Sequence, residues 1–241
     1  MNAVWLVARR ELHGYLLSPL GYVIVAVILL VNGLLFNGVA MGGERLSYEV
    51  LHLFFFFSSG TTMVASVFIT MRLFAEERQT GTLVLLQTSP ATEWQLVLGK
   101  FTGAYLFLLL LTLLTLYMPL LVLVNGKVTW GHLWTGYAGL ALLGAACIAI
   151  GTLASALAPN QILAAVISGA MIVALLVMWM LARQMEGAVG DVVTHLSLFD
   201  RHFQPFSRGI LKSDAVVYYL SLTYAALMAS TAVLGGRRWR A

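Results

Sequence analysis

Six long apolar runs constrain this chain more than any other feature. They fall near residues 20–40, 52–73, 97–124, 132–157, 162–182 and 215–235. A helical run of about 20 apolar residues matches the roughly 30 Å hydrocarbon core of a bilayer. Backbone amides and carbonyls find no water there, so each segment must satisfy them internally, as a helix does. The expected fold is therefore all-α: an integral membrane protein with six transmembrane helices, in a single domain over 1–241. Composition agrees. The chain is 60% hydrophobic and 10% charged, with mean hydropathy +0.89, against about 25% charged in a soluble domain. No soluble domain, low-complexity segment or clear internal repeat breaks the pattern.

The N-terminal segment reads differently. At about 100° per residue, Trp5, Ala8, Leu12, Tyr15 and Leu16 fall on one side of a helix, with Arg9, Arg10 and His13 on the other. Over Val4 to Leu17, within 1–18, this is the pattern of an amphipathic helix lying in the membrane interface. Ser18 and Pro19 end it, and Pro19 suits the first turn of the next helix. The apolar run that follows is too long for a signal core, so the segment does not read as a cleaved signal. Cys147 is the single cysteine, so no intrachain disulfide can form, and its apolar surroundings give it the reading of a small core residue.

The formal net charge is +4. The basic residues cluster at span ends, which points to topology and not to a nucleic acid partner. With the N-terminus in the cytoplasm, Arg9, Arg10, Arg72, Arg78, Lys100, Arg237, Arg238 and Arg240 lie inside. Arg45, Lys127, Arg183, Arg201, Arg208 and Lys212 then lie outside. Four of those six sit in one longer segment, where charge has less influence on orientation. Both termini are therefore expected in the cytoplasm.

Between the second and third runs, Phe74 to Lys100 carries Glu76, Glu77, Arg78, Glu93 and Lys100. A charge-dense insert between spans belongs at the water surface, where a soluble partner can grip it. Gly81 interrupts the helix leaving the second span, and Thr80 or Thr82 can cap a short helix through Leu83 and Leu86. Ser89-Pro90 restarts the chain toward the third span. An ordinary connecting loop has no need of a capped apolar helix, so residues 76–90 read as a docking handle. Glu76 and Glu77, beside Arg72 and Arg78, read as a solvated salt-bridged surface and not as a proton relay.

Two features lie within the spans. Ser58, Thr62, Ser66 and Thr70 recur every fourth residue and draw a polar stripe that should avoid lipid. It either packs against a helix neighbour or lines a wet route. Cys147, Gly151 and Ser155 form a small-residue face suited to close packing. Residues 183–214 read as short amphipathic outer helices. Val189, Val192, Val193, Leu196, Phe199, Phe203 and Phe206 lie on the apolar side, and Gly190 and Pro205 serve as breaks. His195, Asp200 and His202 suggest the polar face of such a helix more than a metal site.

No nucleotide site is present. A P-loop needs G-x-x-x-x-G-K-[ST], whereas Gly99-Lys100 and Gly126-Lys127 are followed by Phe101 and Val128. Nothing in the pattern indicates a catalytic residue, a metal or a bound cofactor on this chain.

The run Glu76-Glu77-Arg78-Gln79-Thr80-Gly81-Thr82-Leu83, followed by Thr88-Ser89-Pro90, resembles the coupling region of ABC-2 type transporter permeases. Leu196-Ser197-Leu198-Phe199-Asp200, Phe206-Ser207-Arg208-Gly209, Val216 to Leu222 and Arg237-Arg238-Trp239-Arg240 are similar to a bacterial branch. That branch includes gliding-motility and copper-enzyme-maturation permeases. The resemblance implies a permease in the bacterial inner membrane, paired with a second copy or a homologous permease. It implies a separate ATP-binding subunit that holds ATP and Mg. Val4–Leu17 would be an elbow helix touching lipid, and residues 76–90 would enter a groove of the ATPase. The 183–214 segment would cover the outer exit, and the stripe of Ser58, Thr62, Ser66 and Thr70 would face the second permease or the translocation route. The alternative implied by some members is mechanotransmission to a periplasmic auxiliary protein without translocated cargo.

Overall fold

A computed structural model describes residues 3–40, 46–82, 91–125, 129–182, 197–199 and 201–238. Among these the secondary structure is helical throughout. In chain order the elements are α1 (Ala3–Leu16), α2 (Pro19–Leu35), a π-helical turn (Phe36–Ala40) and α3 (Ser47–Thr70). Then come α4 (Ala75–Gln79), α5 (Glu93–Leu114), α6 (Tyr117–Asn125) and α7 (Trp130–Leu157). The last are α8 (Gln161–Ala182), α9 (Phe203–Ser207) and α10 (Ser213–Arg238). Six segments are long and apolar enough to cross a membrane: Pro19–Val39, Ser47–Gln79, Glu93–Val124, Trp130–Leu157, Gln161–Met178 and Ser213–Gly236.

Local chemistry sets several of the boundaries. Ser18 caps α2, its hydroxyl accepting from the Gly21 amide at 3.0 Å, and Pro19 opens the helix where its missing N–H costs nothing. Thr92 starts α5 with a reciprocal capping box to Gln95. The third span is not continuous. It breaks at Thr115-Leu116 because Pro119, four residues on, has no amide for the Thr115 carbonyl and its ring would crowd it.

The bundle is arranged around α7, the most buried of the spans, which packs against α3, α5, α8, α9 and α10. Large side chains on the other spans point outward, among them Val23, Leu30, Leu34, Ile162, Val166 and Val217. An apolar exterior suits hydrocarbon in place of water. The α3–α7 seam runs in parallel, in constant register. The Phe55 ring lies on Gly136, Ser66 meets Cys147, and Thr70 meets Gly151. A Cβ at Gly151 would stand 2.0 Å from Thr70 Oγ1, so only glycine fits.

That seam settles the place of the polar stripe. Ser58, Thr62, Ser66 and Thr70 are all buried within this chain. Thr62 approaches Gly144, and the next two positions lie on the small-residue face. Ser58 turns to the first span, donating to Asn32 Oδ1 at 3.2 Å, while Asn32 Nδ2 donates to Thr61 at 3.0 Å. The stripe is an internal packing seam. Of the two roles expected for it, packing against a neighbouring helix is the one these contacts fit.

At the other end of α3, the segment before α10 is anchored by hydrogen bonds. Tyr219 donates to the Leu198 carbonyl at 2.7 Å, and His132 Nε2 lies 2.8 Å from the Ser207 carbonyl. Pro205 does not break a helix. It sits in the first turn of α9, where its lack of an amide is tolerated. His202 is buried and stacks on Tyr218 with ring centroids 3.9 Å apart, so it is a core ring and not part of a polar face. Among the described residues no group of three His, Cys, Asp or Glu could hold a metal ion. Residues 183–196 and Asp200, with the helical reading placed on them, lie outside the described residues.

Candidate functional site: the charged junction around α4

Helix α1 lies along the start of α5 because α5 offers glycine there. A Cβ at Gly99 would stand 2.6 Å from the Val7 side chain, and one at Gly103 would stand 2.7 Å from the Ala8 carbonyl. The two glycines are spaced as in G-x-x-x-G, which lets helix backbones approach closely. Ala8 and Tyr15 are buried in this contact, whereas Trp5, expected on the same face, is exposed. The Tyr15 hydroxyl donates to the Ile69 carbonyl at 2.7 Å. Burial pushes that phenol well above its ordinary range, with Glu11 adding to the effect, so it stays a neutral donor.

Between the two glycines stands Lys100, 1% exposed. An ammonium has three N–H donors, and all three are used: Glu11 at 2.7 Å, Glu77 at 2.8 Å and the Leu73 carbonyl at 2.6 Å. Arg10 adds a second cation to Glu77 at 2.9 Å. The Lys100 Nζ also lies 5.2 Å from the centre of the Phe74 ring. One buried lysine thus joins α1, the end of α3, α4 and α5. The expectation of a solvated acidic surface holds for Glu76, which pairs with Arg72 at 2.9 Å. It is corrected for Glu77, whose side chain is only 14% exposed and closes a buried network.

The fourth span completes the junction. Ser155, from the small-residue face of α7, accepts hydrogen bonds from the amides of Phe74 at 3.0 Å and Ala75 at 3.1 Å. It caps α4 from outside. In return Arg78 donates to the carbonyls of Ala156 at 2.9 Å, Leu157 at 3.4 Å and Ala158. These are orphan carbonyls at the C-terminus of α7, where a cation also complements the helix dipole. At the end of α4 and just past it, Gln79, Thr80, Gly81 and Thr82 are exposed. Gly81 takes φ 74°, the left-handed conformation that favours glycine. Thr80 and Thr82 donate back to the Glu76 and Glu77 carbonyls at 2.9 and 3.3 Å. These contacts close the end of α4. A polar recess of about 200 Å³ lies among Glu11, Arg72, Glu76, Glu77, Thr80 and Thr82. Leu83, Leu86 and the rest of 83–90 lie outside the described residues.

Residues Glu76 to Thr82 are therefore brought together with partners the linear pattern did not indicate: Arg10, Glu11, Lys100 and Ser155. The Gly99–Gly103 spacing was a readable sign of close packing on the third span. So was Asn32, a lone amide in an apolar run.

The sequence model of the ABC-2 family transporter proteins matches residues 43–199. The chain belongs to that family, and it is a multi-pass membrane protein of the transport-permease type. No match to a curated protein was found.

Proposed function

We propose that this chain is a permease subunit driven by a separate ATP-binding subunit, with ATP and Mg bound on that partner. The handle is Glu76, Glu77, Arg78, Gln79, Thr80, Gly81 and Thr82, extended by Leu83 and Leu86. It would lie in the cytoplasm, with both termini on the same side of a bacterial inner membrane. A second copy or a homologous permease would complete the transporter. The tail motifs support placement in the gliding-motility and copper-enzyme-maturation branch.

The observation that carries this reading is the Lys100 junction. Through it a displacement of α4 reaches α1, α3 and α5 at once, and through Ser155 and Arg78 it reaches α7. Closure of the ATPase would move the handle, and the spans fixed to it would change the exposure of the space between permeases. Glu77 and Arg78 act in this scheme by holding the handle to the bundle. The exposed residues 79–82 and the apolar pair Leu83 and Leu86 meet the ATPase.

The test is co-purification. Truncating a buried interface anchor typically costs about 2 kcal/mol or more of binding, and a buried carboxylate costs more. Leu83→Asp should insert normally and lose the ATPase from the purified complex. Full recovery of the ATPase, with normal ATP turnover, would overturn the assignment.

A further inference from the structure

The opposite end of the bundle carries a feature that coupling does not use. Residues 201–212 contain Arg201, Arg208 and Lys212 and no carboxylate. All three cations are exposed, and none forms an ion pair among the described residues. They border one recess of about 300 Å³, with Gln204 and Ile210 between them. Two carboxylates stand nearby. Glu49 borders a neighbouring recess with Arg208, and Asp214 Oδ1 accepts from the Ala215 amide at 2.9 Å. Among the described residues the cations still exceed the acids; Asp200, which precedes Arg201 in the sequence, lies outside them.

A second groove of about 710 Å³ begins where this recess ends, because Gln204 borders both. Val27, Val31 and Leu35 of α2 form one wall, and Phe56, Gly60 and Val64 of α3 form the other. Phe199 borders the groove beside Gln204. Along α2 the groove descends from Leu35 to Val27, about 12 Å at 1.5 Å per residue. One leaflet of a bilayer offers about 15 Å of hydrocarbon. Gly60 keeps the wall open, since a Cβ there would meet nothing within 4 Å.

We propose that this is a binding site for one anionic phospholipid. Its phosphate lies among Arg201, Arg208 and Lys212, and one acyl chain descends between α2 and α3. A basic recess alone would take any small anion, and an apolar groove alone would take any chain. Their shared border at Gln204 calls for both chemistries in one molecule, at the depths where a membrane lipid carries them.

The test is native mass spectrometry of the purified full chain in neutral detergent, titrated with phosphatidylglycerol or phosphatidylcholine of matched chains. Wild type should bind phosphatidylglycerol at least about tenfold more tightly, since each basic residue near anionic lipid contributes several-fold. The Arg201→Gln/Arg208→Gln/Lys212→Gln variant changes only exposed side chains and should lose that preference. Gly60→Leu fills the groove and should reduce phosphatidylglycerol occupancy about tenfold while leaving the charges in place. Millimolar inorganic phosphate should not displace the lipid. Equal binding of the two lipids by wild type, or unchanged occupancy in the triple variant, would overturn the proposal. Full displacement by phosphate would overturn it too, by reducing the site to an anion site. If Gly60→Leu alters the oligomer on size exclusion and leaves lipid occupancy unchanged, a second copy covers the groove and the lipid reading is lost.

Discussion

Lys100 concentrates the electrostatics of the junction in one side chain. Its ammonium is 1% exposed and is compensated by two carboxylates and a carbonyl. Removing one partner of such a buried set is far more damaging than removing all of it, because it strands charge, at a cost of about 3–5 kcal/mol. Lys100→Met should therefore lower the thermal midpoint of the purified permease sharply. Lys100→Met with Glu11→Gln and Glu77→Gln should recover most of the loss. If the single variant melts like wild type, the network is not closed. Little of this was readable in the sequence. Lys100 stands at the start of an apolar run, where charge patterning makes it one more inside cation. Glu11 is 89 positions away and Glu77 is 23, and only the docking of α1 onto Gly99 and Gly103 brings both to it.

Elements show a different mixture of the readable and the hidden. The four-residue period of Ser58 to Thr70 and the small face of Cys147, Gly151 and Ser155 were each legible as a helix face that avoids lipid. That they are the two sides of one seam was not, since nothing local sets the register between the second and fourth spans. Pro119 did carry the sign of a break, but unbroken hydrophobicity from 97 to 124 concealed it. The seam makes a pairwise prediction. Gly151→Ala puts a Cβ 2.0 Å from Thr70 Oγ1, and overpacking of this kind costs about 1–3 kcal/mol. Adding Thr70→Gly removes the clashing atoms and should restore part of the stability in a detergent melt, despite the cost of a helical glycine. Equal melting of Gly151→Ala and wild type would show that the seam yields.

Across the whole molecule, six apolar runs foretold six spans with boundaries close to those observed, because the bilayer imposes both length and composition on each. Orientation is a separate matter, tested by labelling. Cys147 is buried and should be silent, so a single introduced thiol can report. Gln79→Cys should react with an impermeant reagent only after cells are permeabilised, and Ser213→Cys should react on intact cells. The reverse pattern would invert the chain and remove the handle from the cytoplasm. The bond from Ser155 to the Phe74 amide also has a meaning in time. The two residues are 81 positions apart, so at about 5–20 residues per second the amide is made several seconds before its cap. Until the fourth span arrives, the α4 end of the second span has neither Ser155 nor the carbonyls that hold Arg78. The handle thus acquires its shape late in synthesis, and an ATPase that reads this shape would ignore a half-made permease. Ser155→Ala reproduces the uncapped state in the finished chain. Loss of such a cap costs about 1 kcal/mol, so hydrogen exchange at the amides of 74 and 75 should quicken severalfold, and unchanged exchange would leave the handle independent of the fourth span.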